Sequence, residues 1–161
     1  MGWVIDAAMA CGPGHHGPTL GCLRAYDRLW NDAQRFDNVL ELGCGTAVLA
    51  MSAARMGAAS VLASDIDPVA VEVALANVKA NGLEGRVGCV ESIGFDSPVV
   101  QAGAPFDFIF ANILKGPLIE LAPDMAAHLA SGGLAILSGL LIEQADEIVE
   151  VYQAQGFDLQ T

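Results

Sequence analysis

Val39-Leu40-Glu41-Leu42-Gly43-Cys44-Gly45-Thr46 decides the fold of this chain: an apolar run ends on a carboxylate and two glycines, and helical sequence follows from Ala47 to Met56. A short apolar run closing on glycines reads as a strand that turns tightly into a helix, because glycine accepts backbone angles and close approaches denied to other residues. The next apolar run, Ser60 to Ser64, ends on Asp65. Glycines after one strand and an acid after the next are the arrangement that holds a nucleotide-like cofactor by backbone amides and ribose hydroxyls.

Working outward, the same alternation repeats. Strands are expected at Asn38 to Leu42, Ser60 to Ser64, Arg86 to Val90, Phe106 to Ala111 and Leu134 to Ser138, with longer amphipathic stretches between them. That pattern predicts a mostly parallel sheet with crossover helices, a doubly wound α/β domain. Asp67-Pro68 opens a helix as cap and first residue, and Asn81-Gly82 stops it. Pro123 splits the stretch from Leu114 to Leu129 into a short turn and a fresh helix. A helix is expected from Leu141 to Gln155, and Phe157 with Leu159 suggests a strand beginning at the end of the chain.

The composition narrows the class of function. With 161 residues, one domain is expected, able to bury roughly 70% of its unfolded surface. The chain is 53% apolar and 16% charged, yet its longest stretch free of charged residues, Met125 to Ile142, is broken by His128, Ser131, Gly132, Gly133 and Ser138. No membrane span is expected from it. The amino-terminal residues lack the basic start of a signal peptide. A formal charge of -12 argues against direct binding to a nucleic-acid backbone and favours a basic partner. Cys11, Cys22, Cys44 and Cys89 form no paired framework and read as reduced thiols in a cytoplasm.

The turn itself selects among cofactors. A dinucleotide fold requires G-x-G-x-x-G, and here Val48 stands at the third position. Glu41 would repel a pyrophosphate but suits a cationic amino-acid group. No G-x-x-x-x-G-K-[ST] occurs, which removes a P-loop. Cys11-x3-His15-His16-x5-Cys22 matches no common zinc pattern, so no metal is expected. His128 reads as a surface residue near a helix carboxyl end, and Cys44 as a small packing residue within the turn.

Three segments together resemble a known family: Glu41 to Thr46, Gly12-Pro13-Gly14-His15-His16-Gly17-Pro18-Thr19, and Ala111-Asn112-Ile113-Leu114-Lys115-Gly116-Pro117-Leu118. The first is similar to class I S-adenosylmethionine-dependent methyltransferases. All three resemble the bacterial enzymes that methylate protein L-eleven of the large ribosomal subunit, and Ser138-Gly139-Leu140-Leu141 and Gly156-Phe157 fall in order behind them. The resemblance implies a Rossmann-like fold over residues 1–161, with residues 1–35 as cofactor lid and leading helix. It implies S-adenosyl-L-methionine as cofactor, Glu41, Gly43, Cys44 and Gly45 at its methionine end, Asp65 on the ribose, Ser92 beside the adenine, Thr19 closing the site, and Asn112 as the catalytic residue, facing both the cofactor and the incoming amine. The implied substrate is a basic ribosomal protein.

The chain departs from the family pattern at Cys11, Pro13 and Pro18, where a phenylalanine and two threonines are expected, and at Ala47, where a glycine is expected. The family's amino-terminal substrate domain and its last, antiparallel strand are expected to be missing, leaving a sheet edge open to self-association. The alternative reading is therefore a cofactor-binding remnant or module without turnover. A nicotinamide-dependent oxidoreductase is the third reading, opposed by Val48.

Overall fold

A computed structural model describes residues 2–5 and 17–160, with side chains from Gly17 onward. The segment Cys11 to His16, with Pro13 and the two adjacent histidines, lies outside the described residues. The elements in chain order are β1 (Gly2–Ile5), α1 (Gly17–Asn31), β2 (Asn38–Leu42), α2 (Val48–Arg55), β3 (Ser60–Asp65), α3 (Pro68–Ala80) and β4 (Val87–Glu91). They continue as α4 (Pro98–Gly103), β5 (Phe106–Asn112), α5 (Lys115–Glu120), α6 (Ala122–His128), β6 (Leu129–Ser138), α7 (Ala145–Ala154) and β7 (Asp158–Gln160).

The strands form one sheet in the order β4-β3-β2-β5-β6-β1-β7, and each pairing is parallel. Chain order reverses at β2, which has β3 on one side and β5 on the other. The carboxyl ends of β2 and β5 are thus the topological switch point, where ligands bind in open α/β sheets. Beyond β6 the sheet continues through β1 to the three-residue β7, whose Asp158, Leu159 and Gln160 are exposed.

Both faces of the sheet are buried, so the central strands are mostly apolar and divide their side chains by parity. Val39, Phe108, Phe110 and Ile136 join Tyr26, Leu49 and Ala53 on the side of α1 and α2. Leu40, Leu42, Ile109, Ala111 and Leu137 join Leu118, Met125, Ile148 and Tyr152 on the side of α5, α6 and α7. Glu41 has the parity of Val39 and projects toward α2.

The helices start where their caps allow. Asp67 accepts from the Val69 amide at 2.9 Å ahead of Pro68, and Ser97 accepts from the Val99 amide at 3.2 Å ahead of Pro98. The split at Pro123 is present as α5 and α6. Two expected boundaries move. The last helix begins at Ala145, after a 3-10 turn over Ile142–Gln144 in which the Gln144 side chain accepts from the Leu141 amide at 2.9 Å. The sixth strand begins at Leu129 rather than Leu134, because Leu129 pairs with Phe106 before an irregularity carries the chain to the Leu134–Phe108 pair. No described helix is long and apolar enough to cross a membrane.

Candidate functional site

At the switch point the β2 turn folds back against the loop after β5. Gly43 has φ 67°, and a Cβ there would collide with Ile113 Cγ2, so the close approach needs glycine both for its angle and for its missing side chain. Gly45 (φ 51°) and Ala47 (φ 63°) are also left-handed. Ala47 therefore does not sit in the helical conformation that would make its replacement of glycine harmless; a left-handed L-residue costs roughly 1–2 kcal/mol.

Asp65 fastens this turn to the next strand. Its Oδ2 accepts from the Gly45 amide at 3.0 Å and its Oδ1 from the Asp67 amide at 3.0 Å. The Cys44 amide donates to Ser64 O at 2.9 Å, and the Ser92 amide to Asp65 O at 2.9 Å. Three successive strand ends, β2, β3 and β4, are thus tied in series.

The resulting cavity, about 470 Å³, is lined by Leu42, Gly43, Ser64 and Asp65, by Ser92 to Gly94, and by Ile113, Leu114 and residues of α5. Its size falls within the range of small-molecule sites. Ile66, Ile93 and Leu114 stand at its rim, exposed to 63%, 66% and 74%. Apolar side chains this open, around a polar floor, form lips suited to the faces of a flat ring. Sequence reading missed all three. Their signal lay in position: Ile66 and Ile93 directly follow Asp65 and Ser92, and Leu114 follows Asn112 by two.

The expected site residues divide into three groups. Gly43, Asp65 and Ser92 line the cavity. Ser92 is buried, and its hydroxyl donates to Gly94 O at 2.8 Å while accepting from the Ser97 amide at 3.2 Å. Asn112 ends β5 beside Ile113, paired in register with Ser138. It does not cap the following helix, which starts at Lys115 with Leu114 at its N-cap and no side-chain cap bond. A Cβ on Gly139 would lie 3.2 Å from Asn112 Oδ1 and 2.7 Å from Ile113 O, so glycine at 139 keeps the carboxamide uncovered.

Asn112, Glu41, Cys44, Gly45 and Thr19 are not among the cavity's lining residues. Glu41 lies beneath the turn, 2% exposed, its Oε2 accepting from the Ala50 amide of α2 at 2.8 Å. Burial is the main cause that pushes its pKa up to about 8, with the Asp65 charge adding to it and the Ala50 hydrogen bond opposing. Burial, with Glu41 and Asp65 nearby, likewise raises the Cys44 thiol well above its ordinary range, which leaves no nucleophile in the turn. Thr19 is half-buried in the first turn of α1. The adjacent Pro18 carbonyl accepts from Ser138 Oγ at 3.5 Å, which ties that turn to the end of β6.

Among the described residues no cluster of His, Cys, Asp and Glu could hold a metal ion. His128 does not lie free on the surface: its ring stacks on Phe95 at 4.5 Å, and Nδ1 is 2.7 Å from Asp124 O.

Known proteins share this framework. A family model described as ribosomal protein L11 methyltransferase (PrmA) matches residues 3–161. A ribosomal protein L11 methyltransferase of Brucella abortus (strain S19) is 47% identical over 152 residues, 94% of this chain and 53% of that protein. One from Mesorhizobium japonicum is 46% identical, over 95% of this chain and 52% of that protein. The chain spans about half the length of the curated relatives it matches. Among solved structures, the ribosomal protein L11 methylase of Lactobacillus delbrueckii subsp. bulgaricus superposes with a TM-score of 0.78 at 28% identity, covering 89% of this chain and 70% of that one. With a family model matched from Trp3 to the last residue and the cavity at the switch point of an all-parallel sheet, the chain belongs to the ribosomal protein L11 methyltransferase (PrmA) family.

Proposed function

We propose that residues 1–161 form one S-adenosyl-L-methionine-binding catalytic domain, which transfers methyl groups to amino nitrogens of a basic ribosomal protein. The observation that carries this reading is the cavity at the switch point, with Gly43 as its close-packed cradle, Asp65 on its wall and apolar lips at Ile66, Ile93 and Leu114. These residues fit the cofactor's chemistry. Gly43 leaves room for backbone approach, and Asp65, whose two oxygens each keep an acceptor site after meeting Gly45 and Asp67, has capacity for two ribose hydroxyls. The lips offer apolar surface to a purine.

When bound, S-adenosyl-L-methionine supplies a methyl group on a positively charged sulfur, open to in-line displacement by an amine. The protein's part is to position and to exclude water, effects worth up to about 7–11 kcal/mol in favourable models. Asn112, next to the lining residue Ile113 and with no side-chain hydrogen bond to a described residue, offers its carboxamide oxygen to orient a neutral amine. Glu41, Cys44 and Gly45 support the methionine end from beneath, and Thr19, in the first turn of the leading helix α1, helps close the site. The charge of -12 favours a basic protein over a phosphate backbone as partner. The same reading places the chain in the cytoplasm, where Cys22, Cys44 and Cys89 remain thiols. It leaves the exposed β7 edge as the candidate surface for self-association.

Calorimetric titration with S-adenosylmethionine and S-adenosylhomocysteine, followed by assay of methyl incorporation into ribosomal protein L11 with the relatives' amino-terminal half supplied in trans, tests this. Binding and incorporation in wild type, with incorporation lost in Asn112→Ala while binding persists, is the expected result. Absence of binding to either ligand refutes the cofactor site. Binding without transfer leaves a cofactor-binding module.

A further inference from the structure

Glu120 lies where none of the sequence motifs reached, and its surroundings give it a task. Among the described residues lining the cavity only Asp65 and Glu120 are ionisable. Asp65 already holds two amides, whereas Glu120 makes no hydrogen bond or ion pair with a described residue. Its neighbour Leu121 packs against the loop after β4 so tightly that a Cβ on Gly94 would lie 2.5 Å from Leu121 Cδ2. The end of α5 is thereby pinned over the Ser92–Gly94 loop, at one end of the cavity.

That end is where the far edge of a base falls. Sheet order β4-β3-β2 puts the Ser92 loop two strands from the Gly43 turn, about 10 Å at the usual interstrand spacing. A ligand that begins at Gly43 and passes Asp65 ends between Ile93 and Glu120. Ser92 is poorly placed to read it, because its hydroxyl proton is committed to Gly94 O and a lone pair to Ser97 N. An exposed carboxylate is an acceptor only. It matches an exocyclic amine, which donates, and opposes a ring carbonyl, which does not.

We propose that Glu120 is the specificity residue for the base, accepting a hydrogen bond from the 6-amino group of adenine and rejecting 6-oxopurines. The proposal rests on the cofactor reading above. Exposed at the cavity mouth, the carboxylate gains a charge-assisted bond from the amino donor and repels a carbonyl oxygen set in the same place.

The test is calorimetry on the 161-residue chain with S-adenosylhomocysteine and S-inosylhomocysteine, for wild type and for E120Q and E120A. Wild type is expected to favour the adenosyl ligand by about 10- to 100-fold, the range of a charge-assisted hydrogen bond. In both variants that preference should shrink to within about threefold, with inosyl affinity unchanged or higher. Circular dichroism melts establish that the variants are folded. A wild type that binds both ligands equally, or variants that weaken both ligands in parallel, overturns the assignment while leaving the cofactor site intact. A wild type that binds neither overturns the cofactor reading and this assignment together.

Discussion

The Gly45 amide donates to Asp65 Oδ2 at 3.0 Å, so the acid after β3 holds the glycine turn after β2 before any ligand arrives. The same carboxylate accepts from Asp67 with its other oxygen. Preorganisation of this kind lowers the ordering cost of binding.

Asp65→Ala should therefore lose affinity for S-adenosylhomocysteine by about 100-fold or more, two charge-assisted bonds being removed from the ligand and two from the loops. The melting temperature should fall as well. Titration and thermal melts read the two effects separately. Undiminished affinity in a folded variant would show that the acid serves only the loops.

Glu41 makes stability depend on pH in a direction opposite to that of an ordinary salt-bridged acid. With its pKa pushed from 4.5 to about 8 in the folded chain, it retains a proton that the unfolded chain has released. Its contribution is fully present below about pH 4.5 and is lost as pH rises through about 8, a change on the order of a few kcal/mol. Glu41→Gln keeps an acceptor for the Ala50 amide and should flatten this slope, melting above wild type at pH 9. Parallel pH profiles for the two proteins would refute the assignment.

Two alanines carry left-handed backbone, and they should respond differently to glycine. Ala33 (φ 62°) is exposed just beyond α1, where its amide donates to Trp30 O at 3.1 Å and the Gln34 amide to Leu29 O at 3.1 Å. Glycine suits such a helix end, so Ala33→Gly should add about 1 kcal/mol, roughly 2–4 °C in melting temperature. Ala47 (φ 63°) is fully buried, and the methyl lost in Ala47→Gly costs about 0.8 kcal/mol of burial. A smaller gain is expected there. Equal shifts at the two sites would contradict the packing argument.

Tyr26 is 1% exposed within a ring cluster with Phe36, Phe108 and Phe110, and its hydroxyl meets no partner among the described residues. Burial raises its pKa to about 12. Tyr26→Phe keeps the ring contacts and removes a desolvated hydroxyl, which should stabilise the chain by about 1 kcal/mol. Denaturant titration gives the answer directly; a loss of stability would mean that the hydroxyl is satisfied after all.

Local signals account for most of the architecture. Strand β2 has the expected bounds, α3 begins at its Asp67-Pro68 cap, and Pro123 divides α5 from α6, because each depends on neighbours within a few residues. Ser97-Pro98 carries the same start signal as Asp67-Pro68, yet α4 went unread because the helix behind it is only six residues long. Strand β1 has four residues, too few for a period to show, and becomes a strand through pairing with β6 and β7.

The sequence by itself determined the α/β class, the glycine turn and the strand end at Asp65, since strand ends, caps and turn residues act over short distances along the chain. Only tertiary structure decided what those residues meet. It buried Glu41 under α2 and set Gly43 against Ile113. It made Asp65 a fastener and brought Ile93, Leu114 and Glu120 to one cavity. These contacts join segments far apart in the chain, and they follow from the sheet order that seats β5 beside β2, which no local pattern encodes.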